Sequence, residues 1–231
     1  MKIFWKDFEK LPKYMQTKET KAYYDILKKR KFSIFIKRIF DITVSLIASV
    51  FLVPIIILLA IIIMMDSPGN PFFLQTRVTK YGKKFKIFKF RTMVQGAEKL
   101  GAQITTDHDP RITRVGKYIR KLRADEFPQI FNIIMGDLSF VGVRPEVPKY
   151  VDKYTPEMYA TLLMPAGVTS LTSILYKDEE KLLKSSQNAD ETYVNKVLPE
   201  KMKYNLEYIK NFDFFGDIKI MFKTVIAVIS R

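Results

Sequence analysis

ITVSLIASVFLVPIIILLAIIIMM, residues 42–65, is the most apolar part of the chain and the stretch that decides its fold. Its 24 residues carry no charge, and about 20 apolar residues in a helix suffice to cross a bilayer. The stretch starts too far along the chain for a signal peptide, and no small-residue cleavage pattern follows it. A buried helix of this length and uniformity is unusual in a soluble protein. The sequence therefore predicts a helix inserted in a membrane.

The charges on either side of this stretch bear on how it sits in a membrane. Bases precede it, between Lys28 and Arg38, and follow it, between Arg77 and Lys89. Basic flanks favour the cytoplasmic side of a membrane, and a helix that crosses the membrane once cannot place both of its flanks there. Pro54 removes a helical hydrogen bond near the middle, and each half, about 18 Å long, is too short for a core of ~30 Å. We therefore predict a re-entrant hairpin that turns at Pro54, with a kinked transmembrane helix as the alternative.

The composition narrows the possible partners and chemistry. Lys and Arg total 39 against 24 Asp and Glu, and the formal charge of +15 implies an anionic partner: nucleic acid, acidic lipid or a phosphorylated small molecule. No cysteine is present, which excludes disulfides and thiolate chemistry. His108 is the single histidine, so metal sites built from several histidines are excluded as well. Carboxylates, bases, hydroxyls or a bound metal ion must carry any reaction.

The chain divides into three segments. Residues 1–36 are a basic N-terminal arm, which we expect to lie at the membrane interface. Residues 37–66 are the membrane helix, broken at Pro54, and residues 67–231 form a cytoplasmic domain that ends in amphipathic helices. Alternating stretches around Tyr81 and Gly82 predict a β-hairpin in that domain. The predicted fold class is α/β and mostly helical: a re-entrant helix hairpin, interfacial amphipathic helices and a small cytoplasmic globule.

The stretch RADEFPQIFN, residues 123–132, places two acids after a run of bases. Asp125 is predicted to cap a helix from Glu126 to Met135, where the helix dipole would keep its carboxylate ionised. A capping aspartate followed by a first-turn glutamate is common, and it is the purely structural alternative. The number of nearby cations favours a phosphate site gripped by bases, and carboxylates can also hold Mg²⁺ against substrate phosphates. The cations are Arg111, Arg114, Lys117, Arg120, Lys121, Arg123 and Arg144.

Four stretches of the chain resemble one known family. They are KRIFDITVSLI from Lys37, PFFLQTRVTKYGKKFKIFKFRTM from Pro71, DPRITRVGKYIRKLRADEFPQIFNIIMGDLSFVGVRPE from Asp109, and LEYIKNFDFFGDIKIMFKT from Leu206. In this order they resemble the bacterial sugar transferases, which are small monotopic polyprenol-phosphate phosphoglycosyl transferases. The resemblance runs from about Lys37 to Thr224 and leaves the N-terminal arm and the last few residues outside it.

This resemblance implies a monotopic enzyme on the cytoplasmic face of the bacterial inner membrane, with residues 67–231 as its catalytic domain. It would move a sugar-1-phosphate from a UDP-sugar to undecaprenyl phosphate, release UMP and start a lipid-linked glycan. Its partners would be the donor, the lipid acceptor and membrane lipid, without nucleic acid. Its cofactor would be Mg²⁺. The resemblance implies no particular oligomeric state.

The resemblance also implies roles for individual residues. Asp125 matches the family's nucleophile, which carries the phosphosugar as a covalent intermediate. Glu126 matches the neighbouring catalytic acid, which would sit beside the metal or assist proton handling, and both acids are expected to hold the metal. Lys89, Arg120 and Arg144 match positions near the substrate phosphates. For each of these three cations, a surface base or a salt bridge between helices is the alternative.

The chain departs from the family pattern at three places. Val53 stands where the family has a serine before the proline of the membrane kink, Pro54. Val143 replaces a proline of the family pattern. The loop MPAGVTSLTS, residues 164–173, differs from the family's nucleotide-sugar loop, so the identities of the sugar and of the nucleotide base stay open. The residues of this loop that we assign to the nucleotide-sugar site are Pro165, Gly167 and Thr169.

Two other functions stay open at the level of the sequence. A non-catalytic, membrane-anchored binder of anionic lipid or nucleic acid would account for the charge of +15 and the apolar stretch. It would not account for two acids placed among bases. A family member that has lost activity through its altered loop is the other alternative.

Overall fold

The computed structural model describes residues 5–97, 109–175 and 188–229. The described chain is mostly helical and has two small two-stranded sheets, as the predicted fold class requires. The helices are α1 (Lys18–Lys29), α2 (Lys31–Asp66), α3 (Arg114–Lys121), α4 (Gln129–Met135), α5 (Pro148–Val151), α6 (Leu171–Leu175), α7 (Ala189–Thr192), α8 (Leu198–Lys210) and α9 (Phe214–Ile229). The strands are β1 (Phe72–Thr79), β2 (Lys83–Phe90), β3 (Leu138–Val141) and β4 (Ala166–Thr169).

The long helix α2 continues through Pro54. The sequence predicted a break at this residue, whereas the structure has helical backbone on both sides and across it. Proline removes one backbone hydrogen bond of the helix, and the helical turns on either side of it keep their own hydrogen bonds. Only 11% of the most apolar window of α2 is buried, unlike the core helix of a soluble protein, so α2 has the character of a membrane-associated helix. The re-entrant path stays a prediction.

Both ends of α2 contact the same globule. Near the N-terminal end, the Arg38 guanidinium donates a hydrogen bond to the Ile133 carbonyl at the end of α4 (2.7 Å). Near the C-terminal end, Ile63 is buried, and the Asp66 carboxylate accepts a hydrogen bond from the Val115 N–H in α3 (2.9 Å). Because α3 and α4 pack into one apolar cluster, the two ends of α2 are held by a single body.

A buried ion pair connects α2 to the C-terminal helix α9. Lys37 Nζ lies 2.5 Å from Asp217 Oδ2, and the two side chains are 5% and 4% exposed. The Tyr208 hydroxyl of α8 donates a hydrogen bond to the other oxygen of Asp217 (2.9 Å). Each partner compensates a charge that water does not reach, so the pair holds α2, α8 and α9 in one arrangement.

The first 36 residues contribute to the core of the globule. Thr20 of α1 donates its hydroxyl hydrogen to the Pro156 carbonyl (3.0 Å). α2 starts at Lys31, within the predicted arm. Four apolar side chains of the segment are buried in the cluster that also contains residues of α8: Leu11, Met15, Tyr24 and Leu27. The segment is therefore packed onto the globule, and its position at a membrane interface stays a prediction.

The strands β1 and β2 form the predicted hairpin. They are antiparallel, with Phe72 opposite Phe90. The turn between them contains Tyr81 (φ 58°) and Gly82 (φ 71°), both in the left-handed conformation. Glycine adopts this conformation without steric cost, and one glycine beside a strained tyrosine is enough to reverse the chain.

The strands β3 and β4 are parallel and bring two loops together. Val141 is opposite Thr169 in the register of this sheet. A Cβ atom on Gly142 would lie 2.6 Å from the Pro165 carbonyl oxygen, and one on Gly167 would lie 2.1 Å from the Gly142 nitrogen. Glycine is therefore required at both positions, because only backbone without a side chain permits this approach.

Candidate active site

The acidic pair lies in a tight turn between α3 and α4. Arg123 follows the end of α3 with φ 56° and ψ 17°, the left-handed conformation that commonly ends a helix. Ala124–Glu126 then form a single 3₁₀ turn. The Ala124 side chain is buried and holds the turn against the core. The two carboxylates therefore project from a short segment that is fixed on both sides by helices.

Asp125 does not cap a helix that starts at Glu126. The helix α4 starts at Gln129, and the residue before it makes no side-chain capping hydrogen bond. That residue is Pro128, and before it Ala124–Glu126 form a separate 3₁₀ turn. The prediction of a helix from Glu126 to Met135 is therefore wrong at its start and right at its end.

Two cations from distant parts of the chain converge on Glu126. Lys89 Nζ and Arg144 Nη2 each donate a hydrogen bond to Glu126 Oε1, both at 2.9 Å. Lys89 Nζ also lies 4.0 Å from Asp125 Oδ2. Lys89 shares a face of β2 with the buried Ile87, because strand side chains alternate, and this directs its ammonium group towards the turn. The structure thus brings together four of the residues selected from the sequence.

Asp125 is less acidic than an ordinary aspartate. Burial raises the pKa of its carboxyl group, and the adjacent Glu126 charge acts in the same direction. Lys89 opposes this rise most strongly, followed by Arg123 and Arg120. The sequence predicted a carboxylate kept ionised by a helix dipole, whereas in the structure the nearby cations provide that stabilisation.

Glu126 is held ionised by its two partners. Although burial acts to raise it, the charges of Arg144 and Lys89 and their hydrogen bonds keep the pKa of the Glu126 carboxyl far below its ordinary value. Burial lowers the pKa of Lys89, and Glu126 counteracts this change. The two acids therefore differ in character, Glu126 being a fixed anion and Asp125 a group of raised pKa.

Arg120 lies beside the acidic pair but bonds to another residue. Its Nε donates a hydrogen bond to the Thr92 hydroxyl (2.7 Å), and its charge lowers the pKa of Asp125. Thr92 is buried, so this bond directs the Arg120 side chain along the base of the site. A contact with substrate phosphate stays a prediction for Arg120, as it does for Lys89 and Arg144.

Of the other cations expected around the acids, one is paired with another acid and four are exposed. Arg111 pairs with Asp109 at 2.6 Å. The remaining four are exposed, on the outer face of α3 and just after it: Arg114, Lys117, Lys121 and Arg123. The phosphate site that the number of these cations favoured stays a prediction. Proximity along the chain did not indicate which face of α3 they occupy.

The predicted nucleotide-sugar loop lies next to Arg144. The Gly167 N–H donates a hydrogen bond to the Val143 carbonyl (2.9 Å), and Pro165 approaches Gly142. The Thr169 hydroxyl shares a hydrogen bond with Thr224 of α9 (2.7 Å). Gly167 therefore has a packing role, and Thr169 is tied to the C-terminal helix. The assignment of this loop to a nucleotide sugar stays a prediction.

Two residues next to the site were not selected from the sequence. Arg77 of β1 donates a hydrogen bond to the Pro145 carbonyl (3.1 Å), one residue from Arg144. Asn132 of α4 bonds to the backbone of β2. The basic residue in the alternating pattern of β1 was a weak indication that Arg77 has a role. The sequence pattern gave no indication of a role for Asn132. His108 lies outside the described residues.

The acidic pair is compatible with Mg²⁺ that is bound largely through a substrate. Within the described ranges, no group of three or more acids and histidines could hold a metal ion by itself. Asp125 and Glu126 supply two carboxylates, and Mg²⁺ is commonly bound by one or two carboxylates together with substrate phosphates. Lys89 and Arg144 already bond to one oxygen of Glu126. The residues therefore fit a cation that arrives with a phosphorylated ligand, and Mg²⁺ stays a prediction.

The apolar helix and the acidic pair between cations are features typical of a membrane-associated protein that binds phosphate groups. The chain belongs to the bacterial sugar transferase family, whose sequence profile matches residues 32–231. This result confirms the family that the sequence motifs indicated.

Curated relatives of the chain carry names within this class. The UDP-N-acetylgalactosamine-undecaprenyl-phosphate N-acetylgalactosaminephosphotransferase of Aeromonas hydrophila is 39% identical over 200 residues, covering 85% of this chain and 44% of the relative. A putative undecaprenyl-phosphate N-acetylgalactosaminyl 1-phosphate transferase of Bacillus subtilis (strain 168) is 44% identical over 123 residues, covering 53% and 69%. The exopolysaccharide production protein PSS of Rhizobium leguminosarum bv. phaseoli is 32% identical over 205 residues, covering 85% and 96%. The chain thus spans less than half of the Aeromonas relative and nearly all of the Rhizobium one.

Proposed function

We propose that this protein transfers a sugar-1-phosphate from a UDP-sugar to undecaprenyl phosphate, releases UMP and so starts a lipid-linked glycan. The observation that carries the proposal is Asp125 beside the Lys89–Glu126–Arg144 cluster, in a chain of this family. The names of the Aeromonas and Bacillus relatives support undecaprenyl phosphate as the acceptor. The name of the Aeromonas relative also supports a UDP-sugar as the donor.

In the proposed reaction Asp125 is the nucleophile. Its carboxylate oxygen forms a bond to the phosphorus that carries the sugar, and the bond from that phosphorus to the bridging oxygen breaks, so that UMP leaves. An oxygen of the lipid phosphate then attacks the same phosphorus and displaces the carboxylate. Two displacements on one phosphorus replace a single difficult transfer, which is the usual advantage of covalent catalysis.

The cations of the site stabilise the charge that moves during these steps. Lys89 lies between the two carboxylates, so it stabilises the ionised form of Asp125 and can also reach a phosphate oxygen beside it. Arg144 is 40% exposed at its side chain, which leaves part of the guanidinium accessible to a ligand. Glu126 orients both cations through one oxygen. Mg²⁺, held by Asp125 and Glu126, would neutralise charge on the substrate phosphates.

A direct assay tests the proposed function. The purified protein is incubated with undecaprenyl phosphate and a panel of UDP-sugars, and released UMP is measured with and without EDTA. At least one donor should give UMP in a reaction that EDTA stops and added Mg²⁺ restores. Folded protein that releases no UMP from any donor of the panel would argue against the proposal and for a binding or inactive protein.

We further propose that α2 enters and leaves the cytoplasmic face of the bacterial inner membrane. The support is that Arg38 and Asp66, at opposite ends of the apolar stretch, both bond to the globule. A helix that crossed a bilayer would present only one end to a body on one side of it. Phe215 and Phe222 of α9 are 75% and 65% exposed, as expected of an amphipathic helix at an interface.

Single cysteines on each side of the apolar stretch test this topology. The chain contains no cysteine, so Phe35→Cys and Asn70→Cys each carry one reactive thiol. In intact cells both should be protected from a thiol reagent that does not cross the inner membrane, and both should react once the membrane is permeabilised. Labelling of only one of the two before permeabilisation would indicate a helix that spans the membrane.

Replacing Lys89 by Met should change the pH dependence of the reaction. Asp125 attacks only when it is ionised, burial raises its pKa, and Lys89 lowers it. Without the Lys89 charge the pKa of Asp125 rises further, so the acid limb of the rate profile moves to higher pH. The maximal rate should also fall by about a hundredfold. A profile measured from pH 5 to pH 9 checks both, and an acid limb that stays in place would contradict the assigned electrostatics.

A further inference from the structure

The side chain of Asn132 joins α4 to the edge of β2. Its Oδ1 accepts a hydrogen bond from the Phe88 N–H (2.9 Å), and its Nδ2 donates one to the Lys86 carbonyl (2.8 Å). The residue is fully buried, with 0% exposure. Both functional groups of the amide are therefore engaged with the backbone of β2, out of contact with water.

This pair of bonds resembles the pairing of a further strand. A carboxamide offers one acceptor and donor hydrogens, as a peptide group does, and Lys86 and Phe88 present a carbonyl and an N–H on the same edge of β2. The outer edge of a two-stranded sheet would otherwise leave these groups unpaired in the core. Because two bonds are made at once, the amide sets the register of α4 along β2 as well as its distance.

The two elements joined in this way carry the two halves of the site. Lys89 directly follows Phe88 on β2, whereas the acidic pair lies in the turn just before α4, two residues from its start. Apolar contacts between α4 and β2, such as those around Ile133, are not directional and permit small shifts. The hydrogen bonds of Asn132 are directional, and they determine how far Lys89 lies from the acids.

We propose that Asn132 is a positioning residue that sets the separation between Lys89 and the Asp125–Glu126 pair. It touches no substrate, and it acts through the placement of the Lys89 ammonium group. The inference rests on the proposed function, because its readout is the rate at which Asp125 is loaded. Misplacing a catalytic group by about 1 Å can cost about a hundredfold in rate, so a small shift along β2 is enough to matter.

A double-mutant cycle tests the proposal. Asn132→Leu keeps the size of the side chain and removes both hydrogen bonds, and Asn132→Ala leaves room for a water molecule that cannot fix the register. Rates of UMP release from the donor in a single turnover are measured for each variant, for Lys89→Met and for the double variants. Each Asn132 variant should lose about tenfold alone. In the Lys89→Met background each should lose less than about twofold, because the group it positions is gone.

Asn205 provides a matched control. It is also buried, on α8, and its Oδ1 accepts a hydrogen bond from the Thr172 hydroxyl (2.5 Å). Asn205→Leu removes a buried amide of the same kind, and any loss of rate should be the same with and without Lys89. Equal losses for Asn132→Leu in both backgrounds, or failure of both Asn132 variants to fold, would overturn the positioning role. Wild-type protein that releases no UMP would instead overturn the proposed function.

Discussion

Replacing Asp125 by Asn should lower the release of UMP at least about a thousandfold, because an amide is a poor nucleophile and the covalent step has no substitute. The change preserves the size of the side chain in a turn that packs against the core through Ala124. It also removes the group whose pKa is raised by burial, leaving Glu126 with its two cations. The loss should therefore appear in the rate and hardly at all in stability.

Two measurements check this expectation. UMP release gives the rate, and intact-protein mass after incubation with donor alone should show a phosphosugar adduct on the wild type and none on Asp125→Asn. Asp25→Asn is a matched control, because Asp25 pairs with Lys21 at 2.7 Å on α1 and lies outside the site. It should behave as the wild type in both measurements. An Asp125→Asn variant with wild-type turnover would refute the assigned mechanism.

Replacing Lys37 by Met should lower the free energy of unfolding by about 3–5 kcal/mol, the usual cost of breaking one side of a buried ion pair. The change leaves the Asp217 carboxylate in a site where its side chain is 4% exposed, with the Tyr208 hydroxyl as its remaining partner. Removing both charges should recover most of the loss, so the double variant Lys37→Met/Asp217→Leu should be more stable than Lys37→Met.

Thermal and denaturant unfolding in a mild detergent measures these differences. Lys203→Met is the matched control, because Lys203 pairs with Glu200 at 2.6 Å on the exposed side of α8. Exposed pairs contribute little, so this variant should unfold almost as the wild type does. A Lys37→Met protein of unchanged stability would show that Asp217 finds another cation or water, and that the pair does not hold α2 to α9.

The elements that the sequence identified are those defined by local patterns. The uncharged apolar run of α2, the alternation on both sides of Tyr81 and Gly82, and the end of α4 before Gly136 can be read from neighbouring residues. The start of α4 was misplaced because the capping pattern at Asp125 did not show that Ala124–Glu126 form a separate 3₁₀ turn before the helix. At Pro54 the sequence predicted a break, whereas the helix continues, because one missing hydrogen bond was not enough to end it.

Part of the site was also predicted from the sequence, because some of its residues lie in local motifs. The acidic pair, Lys89 and Arg144 were selected from motifs, and the structure brings them together. The bases of α3 were expected around the acids because they are close along the chain, but most of them lie on its outer face. Asn132 carried no signal, because a buried amide acquires its role only from the strand beside it.

The amino-acid sequence by itself determined the membrane-associated helix, the family and the identity of the two acids, since these depend on residues close together in the chain. Only the tertiary structure decided which cations reach Glu126, how burial and charge set the pKa of Asp125, and that both ends of α2 are held by one body. These features depend on contacts between residues that are far apart in the chain, such as Lys89 with Glu126 and Arg38 with Ile133. Hydrogen bonds and electrostatic interactions act through space, so sequence distance does not predict them.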